Sequence, residues 1–260
     1  MYKLYRKNPD NFALIWIGIY CLVQSLANGL SSGIGIPKSA NAVLALAQSC
    51  YMLYWLHKYH LLQAFQLNKP KQSARNMLFY LPLVFISTSN LWLGVNSKAA
   101  ALDLGIHILL MLNVGFLEEL IFRGFLFEAL RKKSLPMAIT VSSLTFGLGH
   151  ILNLFNGSGM SLGAVMLQMF LAVLFGFLYV TVYLSSGSLI PCILSHQCIN
   201  ILSVFANVQA PARSHLAVNL TEIAVILLYL FFLVRKNGET FRNSYSREHG
   251  ENGGDFVSQR

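Results

Sequence analysis

The stretch GFLEELIFRG, residues 115–124, places two adjacent carboxylates and an arginine inside an apolar run. Ionisable side chains inside a bilayer are costly, so they normally face a protein interior or a water-filled cavity and mark a functional path. At α-helical pitch Glu119 and Arg123 lie one turn apart on one face, where they can pair. Glu118 lies about 100° further round the helix, away from that partner. The stretch therefore predicts one carboxylate that is held in place and one that is free for proton chemistry.

The whole chain has the composition of a polytopic membrane protein. Its 260 residues are 55% hydrophobic and 11% charged, with a mean hydropathy of +0.55, whereas a soluble domain is about 25% charged. The net charge of +9 does not indicate a nucleic-acid partner, because the basic residues lie at helix ends rather than on one folded face. We interpret the four cysteines as free thiols, since they lie in or beside apolar segments and form no C-x-x-C pair.

Apolar runs divide the chain into eight predicted spans, most of them near the ~20 residues that cross a bilayer. The spans cover residues 12–30, 41–56, 77–93, 104–130, 136–155, 162–184, 189–205 and 218–234. Turn-forming residues at 31–38, 156–159 and 185–188 separate three pairs of them. The predicted fold is all-α, with an integral membrane domain over residues 1–234 and a polar, disordered cytoplasmic tail over residues 235–260.

The distribution of basic residues predicts the orientation of these spans. With the N-terminus in the cytoplasm, fifteen of the nineteen lysines and arginines fall on the inner side and only Lys38, Lys98 and Arg213 on the outer side. This bias follows the positive-inside rule. We therefore expect a multi-pass protein of the cell membrane with both termini in the cytoplasm.

Two further predicted spans carry polar side chains at helical spacing. Phe146 lies one turn before His150, with Asn153 three residues after it, and His196 lies one turn before Asn200. Three helices are thus expected to direct polar groups at one interior point.

Other polar and small residues of the spans have structural interpretations. Gly147 and Gly149 would let another helix approach closely. His107 has no partner pattern, and we interpret it as structural or pore-facing. Glu128 and Glu222 are interpreted as interfacial.

Each polar motif alone has a structural explanation, but together they supply the groups that hydrolyse an amide. A desolvated glutamate suits general base catalysis, and a histidine can help it to deprotonate water. A second histidine and an asparagine amide can donate hydrogen bonds to the developing oxyanion. Two alternatives stay open at this point. Zinc could bind the same residue types, although no H-E-x-x-H motif is present, and a proton-coupled transporter could use the carboxylates, although no matching pair of broken helices is seen.

Three motifs occur in order between residues 104 and 205: Glu118-Glu119-x-x-x-Arg123, Phe146-x-x-x-His150 and His196-x-x-x-Asn200. This set resembles the CAAX-protease and bacteriocin-processing family of intramembrane glutamic endopeptidases, also called the CPBP or ABI family. The resemblance implies a peptidase that needs glutamate and no metal or other cofactor, on an eight-span helical fold.

The resemblance also implies roles for the motif residues. Glu118 and His150 would activate water, and His196 and Asn200 would bind the oxyanion. Glu119 would hold the site together through Arg123 and help to place the water, with Phe146 and Asn153 as supporting residues. The site is expected to open toward the cytoplasm.

The resemblance leaves the substrate class broad. Eukaryotic relatives trim prenylated C-termini, whereas bacterial relatives are linked to peptide-pheromone or bacteriocin maturation, self-immunity and control of cell-surface proteins. The short loops resemble a bacterial, plasma-membrane member, for which a membrane-associated or lipid-borne peptide is the expected partner. Some relatives are non-catalytic scaffolds, and that alternative stays open for this chain.

Overall fold

The computed structural model describes residues 1–71, 77–96, 98–155, 159–236 and 238, and in these residues it has helices and no strand. The all-α prediction is confirmed. The helices are α1 (Tyr2–Lys7), α2 (Pro9–Ile34), α3 (Ser39–Lys58), α4 (Met77–Ser87), α5 (Ala101–Leu130), α6 (Leu135–Leu154), α7 (Leu162–Ser186), α8 (Ile190–Phe205) and α9 (Ala212–Lys236).

Local sequence signals set where several helices begin. Asn8 and Ser134 accept hydrogen bonds from the backbone of the first turn of α2 and α6, and a proline follows each of them within two residues. Ser161 caps α7 in the same way. An Asn or Ser oxygen pairs with a free N–H group of the first turn, and a proline there has no N–H group to leave unpaired.

Five helices in the described part of the chain are long and apolar enough to cross a membrane, namely α2, α5, α6, α7 and α9. α8 is apolar but shorter. Leucines on the outside of α2 and α9 are well exposed, with Leu22 at 60% and Leu228 at 70%, as suits contact with lipid. The count of eight spans and the cytoplasmic termini stay predictions. Most of the predicted tail, and residues 156–158 of the predicted turn, lie outside the described residues.

The motif helix α5 departs from the α-helix that the sequence analysis assumed. Its segment Leu120–Phe127 is a π-helix, a rare wide form that is common at functional sites. All eight of its residues are buried. The hydroxyl of Ser142 in α6 donates to the carbonyl of Phe122 at 3.1 Å, so a neighbouring helix satisfies one backbone oxygen of the segment.

Two close helix approaches surround α5 and α6. A Cβ added at Gly147 would lie 2.2 Å from a methyl of Val173 in α7, so the prediction of a close approach at Gly147 is confirmed. Nothing lies within 4 Å of a Cβ added at Gly149, so the same prediction is wrong there. A Cβ at Gly115 would lie 2.7 Å from the side chain of Gln197 in α8, which brings the second histidine motif against the glutamate motif.

Two of the carboxylates were interpreted too simply from the sequence. Glu128 and Glu222 were expected at an interface, yet only 9% and 6% of their surfaces are exposed. Glu128 accepts a hydrogen bond from Tyr183 at 2.6 Å and pairs with Arg131. Both lie within the packed bundle, because neighbouring helices cover them.

The bundle has two distinct ends. One end holds residues 1–8, 59–71, 131–134 and 187–189, and we call it the terminal end. There Lys133 pairs with Asp10, and the Lys71 N–H donates to the Ser186 carbonyl at 2.8 Å. The opposite end holds residues 35–38, 88–96 and 206–211, where Asn207 donates to the Leu93 carbonyl at 3.1 Å. The helices run between these ends.

Candidate active site

The two adjacent glutamates occupy different environments. Glu119 and Arg123 are fully buried and pair at 3.0 Å through Oε1 and one terminal nitrogen. The side chain of Glu118 is 15% exposed and faces a cavity. The one-turn spacing of Glu119 and Arg123 still produces the pair, although the helix widens to a π-helix after Glu119.

Aromatic rings enclose the Arg123 guanidinium. Its central carbon lies 4.2 Å from the ring centre of Phe146 and 5.5 Å from that of Tyr179. A desolvated cation over an aromatic face gains about 2 kcal/mol. Phe146, proposed from the motif as a supporting residue, therefore packs on the cation that holds Glu119.

His196 links the two glutamates. Its Nδ1 lies 2.9 Å from Glu119 Oε1, and its Nε2 lies 3.6 Å from Glu118 Oε2. The ring packs edge-on against Phe146 at 5.8 Å between centroids. A single imidazole thus lies between the held carboxylate and the cavity-facing carboxylate.

Tyr20 is a site residue that the sequence analysis missed. Its hydroxyl donates to Glu118 Oε1 at 2.8 Å from α2, 98 residues away along the chain. Only 8% of Tyr20 is exposed. A tyrosine in an apolar span has no spacing relation to the glutamate motif, so no sequence signal pointed to it.

His150 and Asn200 line the same cavity as Glu118. The Nδ1 of His150 donates to the Phe146 carbonyl at 3.2 Å, which leaves Nε2 without a proton in the neutral ring. The backbone oxygen of Asn200 accepts from His107 Nε2 at 3.0 Å. His107 thus ties α5 to α8, in keeping with its structural interpretation.

Asn153 lies at the edge of the site. It lines the cavity and donates to Gln168 Oε1 of α7 at 2.8 Å. The structure therefore gathers all five expected catalytic side chains and their three supporting residues in one region. The roles assigned to them stay predictions.

Two cavities meet at this cluster. The first, of about 440 Å³, lies among α2, α3, α5, α6 and α8, and the second, of about 410 Å³, lies among α6, α7, α8 and α9. Both are lined by His150, His196 and Asn200. An extended chain lying across the cluster could therefore place side chains in both cavities.

The lining of the first cavity reaches the end of the bundle opposite to the terminal end. Its lining reaches Lys38 and Asn41 beyond the end of α2, and Asn153 and Ser203 near the ends of α6 and α8. Among the described residues, none of the terminal end lines it. The expectation that the site opens toward the cytoplasm stays a prediction.

The family comparison agrees with the motifs. Residues 100–202 match the model of a family described as "Type II CAAX prenyl endopeptidase Rce1-like". This match supports the CAAX protease family for this segment. It covers α5 to α7 and most of α8 and contains every motif residue, whereas Tyr20 lies outside it. The comparisons with curated proteins and with solved structures found no match.

Metal binding was expected to be absent. Within the described ranges no three histidine, cysteine, aspartate or glutamate side chains are grouped so as to hold a metal ion. Glu118, Glu119 and His196 lie together, and His196 Nδ1 bonds to Glu119. The metal-free mechanism stays a prediction.

Proposed function

We propose that this chain is an intramembrane endopeptidase in which Glu118 and His150 activate a water molecule without a metal. The match to the CAAX protease family supports peptidase activity in general. The observation that carries the specific proposal is the position of Glu118, which lines a cavity while the Tyr20 hydroxyl donates to its Oε1 and His196 Nε2 lies 3.6 Å from its Oε2.

Glu118 is the proton carrier in this mechanism. It takes one proton from water as the water oxygen attacks the carbonyl carbon of the scissile peptide. It then gives that proton to the leaving nitrogen as the C–N bond breaks, so the carboxylate is regenerated. The Tyr20 hydroxyl donates to Oε1, which fixes the carboxylate plane and leaves Oε2 to face the cavity side. Positioned general base catalysis contributes typically 10²–10⁴-fold to a rate.

His150 orients the water from the other side. Its Nδ1 proton is committed to the Phe146 carbonyl, so Nε2 is available to accept a hydrogen bond from the water. Two acceptors, Glu118 and His150, then hold one water with a lone pair directed at the substrate.

His196 and Asn200 bind the oxyanion. His196 Nδ1 lies 2.9 Å from Glu119 Oε1 and donates to it, since a carboxylate can only accept. The proposal requires the protonated ring, in which Nε2 carries a proton as well. Nε2 is then a donor beside the attacked carbonyl, joined by the Asn200 amide. Removal of one such donor typically costs about 3 kcal/mol of transition-state stabilisation.

Glu119 and Arg123 position His196. The buried pair fixes Glu119 Oε1, which in turn binds His196 Nδ1. A hydrogen bond at one ring nitrogen fixes the orientation of the imidazole. The bond at Nδ1 therefore holds Nε2 in a position that faces the cavity. Glu119 acts through His196 rather than on the substrate.

A membrane-associated peptide is the substrate class that this site favours. The cavity lies inside a bundle whose outer surface is apolar, so a peptide must enter it from the membrane or from its surface. Bacteriocin or pheromone maturation, self-immunity and control of cell-surface proteins are the processes we propose on the family resemblance, in a bacterial plasma membrane.

Peptide termini in cell membranes test the function directly. We expect a fragment in membranes that contain the wild-type chain and none in membranes that contain Glu118→Gln, at equal protein levels. The fragment names both the substrate and the bond. Equal fragments in both samples would contradict catalysis by Glu118, and a phenotype that survives the substitution would favour a scaffold.

Chelation tests the metal-free mechanism. We expect purified protein to keep its activity after dialysis against a zinc chelator and to contain no stoichiometric zinc. Loss of activity that added zinc restores would overturn this part of the proposal.

A further inference from the structure

Glu222 lines the second cavity and plays no part in the mechanism above. It belongs to α9, outside the family segment, and 6% of its surface is exposed. A carboxylate within a membrane span is costly and normally has a partner or a function. Ser89 hydrogen-bonds to it.

No basic side chain of the described residues forms an ion pair with Glu222. The other titratable groups that line the cavity are His150, His196 and Tyr179. His150 is engaged by the Phe146 carbonyl, His196 by Glu119 and Tyr179 by Ser195. Glu222 therefore lacks a positive partner from this part of the chain.

Asn90 adds an acceptor to the polar lining of this cavity. Asn90 donates its amide to the Ile199 carbonyl at 2.9 Å, so its side-chain oxygen remains as an acceptor. Asn90 and Glu222 both line the cavity. Such a pair suits a ligand group that donates several hydrogen bonds and carries positive charge.

Gln168, Asn200 and Asn219 add amide groups to the cavity lining, and the other walls are apolar. They are formed chiefly by Leu167, Leu171 and Phe175 of α7. A lysine side chain combines a four-carbon stem that packs on apolar surface with a charged tip that seeks an acceptor. The volume of about 410 Å³ accommodates one such side chain together with adjoining backbone.

We propose that the second cavity is a substrate subsite that takes a cationic side chain, lysine first, with its ammonium on Glu222. The cavity shares His150, His196 and Asn200 with the first cavity, so the cationic residue lies close to the scissile bond. This inference rests on the proposed peptidase function. It makes Glu222 a specificity-determining residue rather than a catalytic one.

A peptide library tests the subsite with the full chain in detergent. The first probe is a randomised set of quenched-fluorescent peptides. The second is the best cleaved peptide with its lysine replaced by norleucine, which keeps the stem and removes the charge. We expect the wild type to cleave the lysine peptide about tenfold faster in kcat/KM, and Glu222→Gln to bring this ratio near one. A ratio within one protein is insensitive to partial misfolding.

Asp103→Asn is the matched control, because Asp103 is an exposed carboxylate of α5 away from both cavities. It should keep the tenfold ratio. An equal ratio in wild type and Glu222→Gln, or a library without enrichment of lysine or arginine at one position, would overturn the proposal.

A binding measurement distinguishes failure of the subsite proposal from failure of the Glu118 mechanism. The Glu118→Gln protein should retain more of the lysine-containing library peptides than the Glu118→Gln/Glu222→Gln protein. If cleavage does not depend on Glu118 but this difference persists, the mechanism is wrong and the subsite stands. If cleavage depends on Glu118 but the difference is absent, the subsite is wrong and the mechanism stands.

Discussion

At the scale of single residues, the site depends on what holds each oxygen of Glu118. Tyr20 donates to one oxygen at 2.8 Å from a helix that the family segment does not include. A hydrogen bond to a charged group contributes about 1.5–3 kcal/mol. Tyr20 is thus a positioning residue for the proposed base.

Tyr20→Phe should lower kcat at least tenfold, because the carboxylate loses the donor that orients it while the ring still packs. The measurement is kcat and KM on a cleaved peptide, with the melting temperature as a check of folding. Tyr51→Phe is the control, since Tyr51 is an exposed tyrosine of the neighbouring α3. A Tyr20→Phe enzyme with wild-type kcat would remove Tyr20 from the site.

Arg123 offers a second test at this scale. Arg123→Met leaves the buried Glu119 with His196 as its remaining partner and should destabilise the protein by about 3–5 kcal/mol, because the carboxylate loses its arginine. Adding Glu119→Gln removes that charge and should restore part of the stability, but not the activity, since His196 loses its anchor. Melting temperatures of the single and double variants check this.

The exposed pair of Lys133 with Asp10 provides the comparison for Arg123. Lys133→Met should cost less than about 1 kcal/mol, because 59% of the Lys133 side chain is exposed. Equal losses for Lys133→Met and Arg123→Met would contradict the role given to the buried pair.

At the scale of the helices, Gly115 controls how closely α8 approaches α5. An added Cβ would lie 3.0 Å from the backbone nitrogen of Gln197 as well as 2.7 Å from its side chain, so the helices must separate. Since His196 precedes Gln197 and Glu118 follows Gly115 by one turn, this separation widens the 3.6 Å gap between the two site residues.

Gly115→Ala should therefore lower kcat about tenfold or more, since a small misplacement of catalytic groups costs up to 10²-fold. Gly105→Ala is the matched control in the same helix, with nothing within 4 Å of the added Cβ. Equal activity of the two variants would show that the close approach does not set the site geometry.

The sequence predicted much at this scale, and the misses have physical causes. The helix positions followed from apolar runs and turn residues, and the motif residues do meet around one cavity. The π-helix of α5 was missed because its residues are ordinary apolar ones, and tertiary contacts such as that of Ser142 stabilise it. The contact of Tyr20 and the burial of Glu222 depend on which helices pack against each other. Local patterns in a single sequence do not show which helices are neighbours.

At the scale of the whole molecule, the direction of the cavity and the distribution of charge combine. The basic residues of the terminal end predict that this end faces the cytoplasm. The catalytic cavity reaches the opposite end. If the terminal end faces the cytoplasm and the cavity is entered at the opposite end, the substrate enters the site from the outer side of the membrane. This suits exported peptides and cell-surface proteins better than cytoplasmic ones.

Labelling of single cysteines tests this orientation. In a chain without its native cysteines, a membrane-impermeant maleimide added to intact cells should label Lys38→Cys beside the cavity mouth and not Lys132→Cys at the terminal end. Both lysines are exposed, so lysed cells should label both variants and provide the control. The reverse pattern in intact cells would place the cavity mouth in the cytoplasm.

The central claim is that Glu118 carries the proton between water and the leaving amine. Its most direct test is the single-turnover cleavage rate of Glu118→Gln in the purified full chain, against wild type and with the melting temperature of both. We predict a loss of at least about 10³-fold with an unchanged melting temperature, because glutamine keeps the shape of the side chain and the contact with Tyr20 but cannot accept the proton. A folded Glu118→Gln protein that cleaves within tenfold of the wild-type rate would contradict the account.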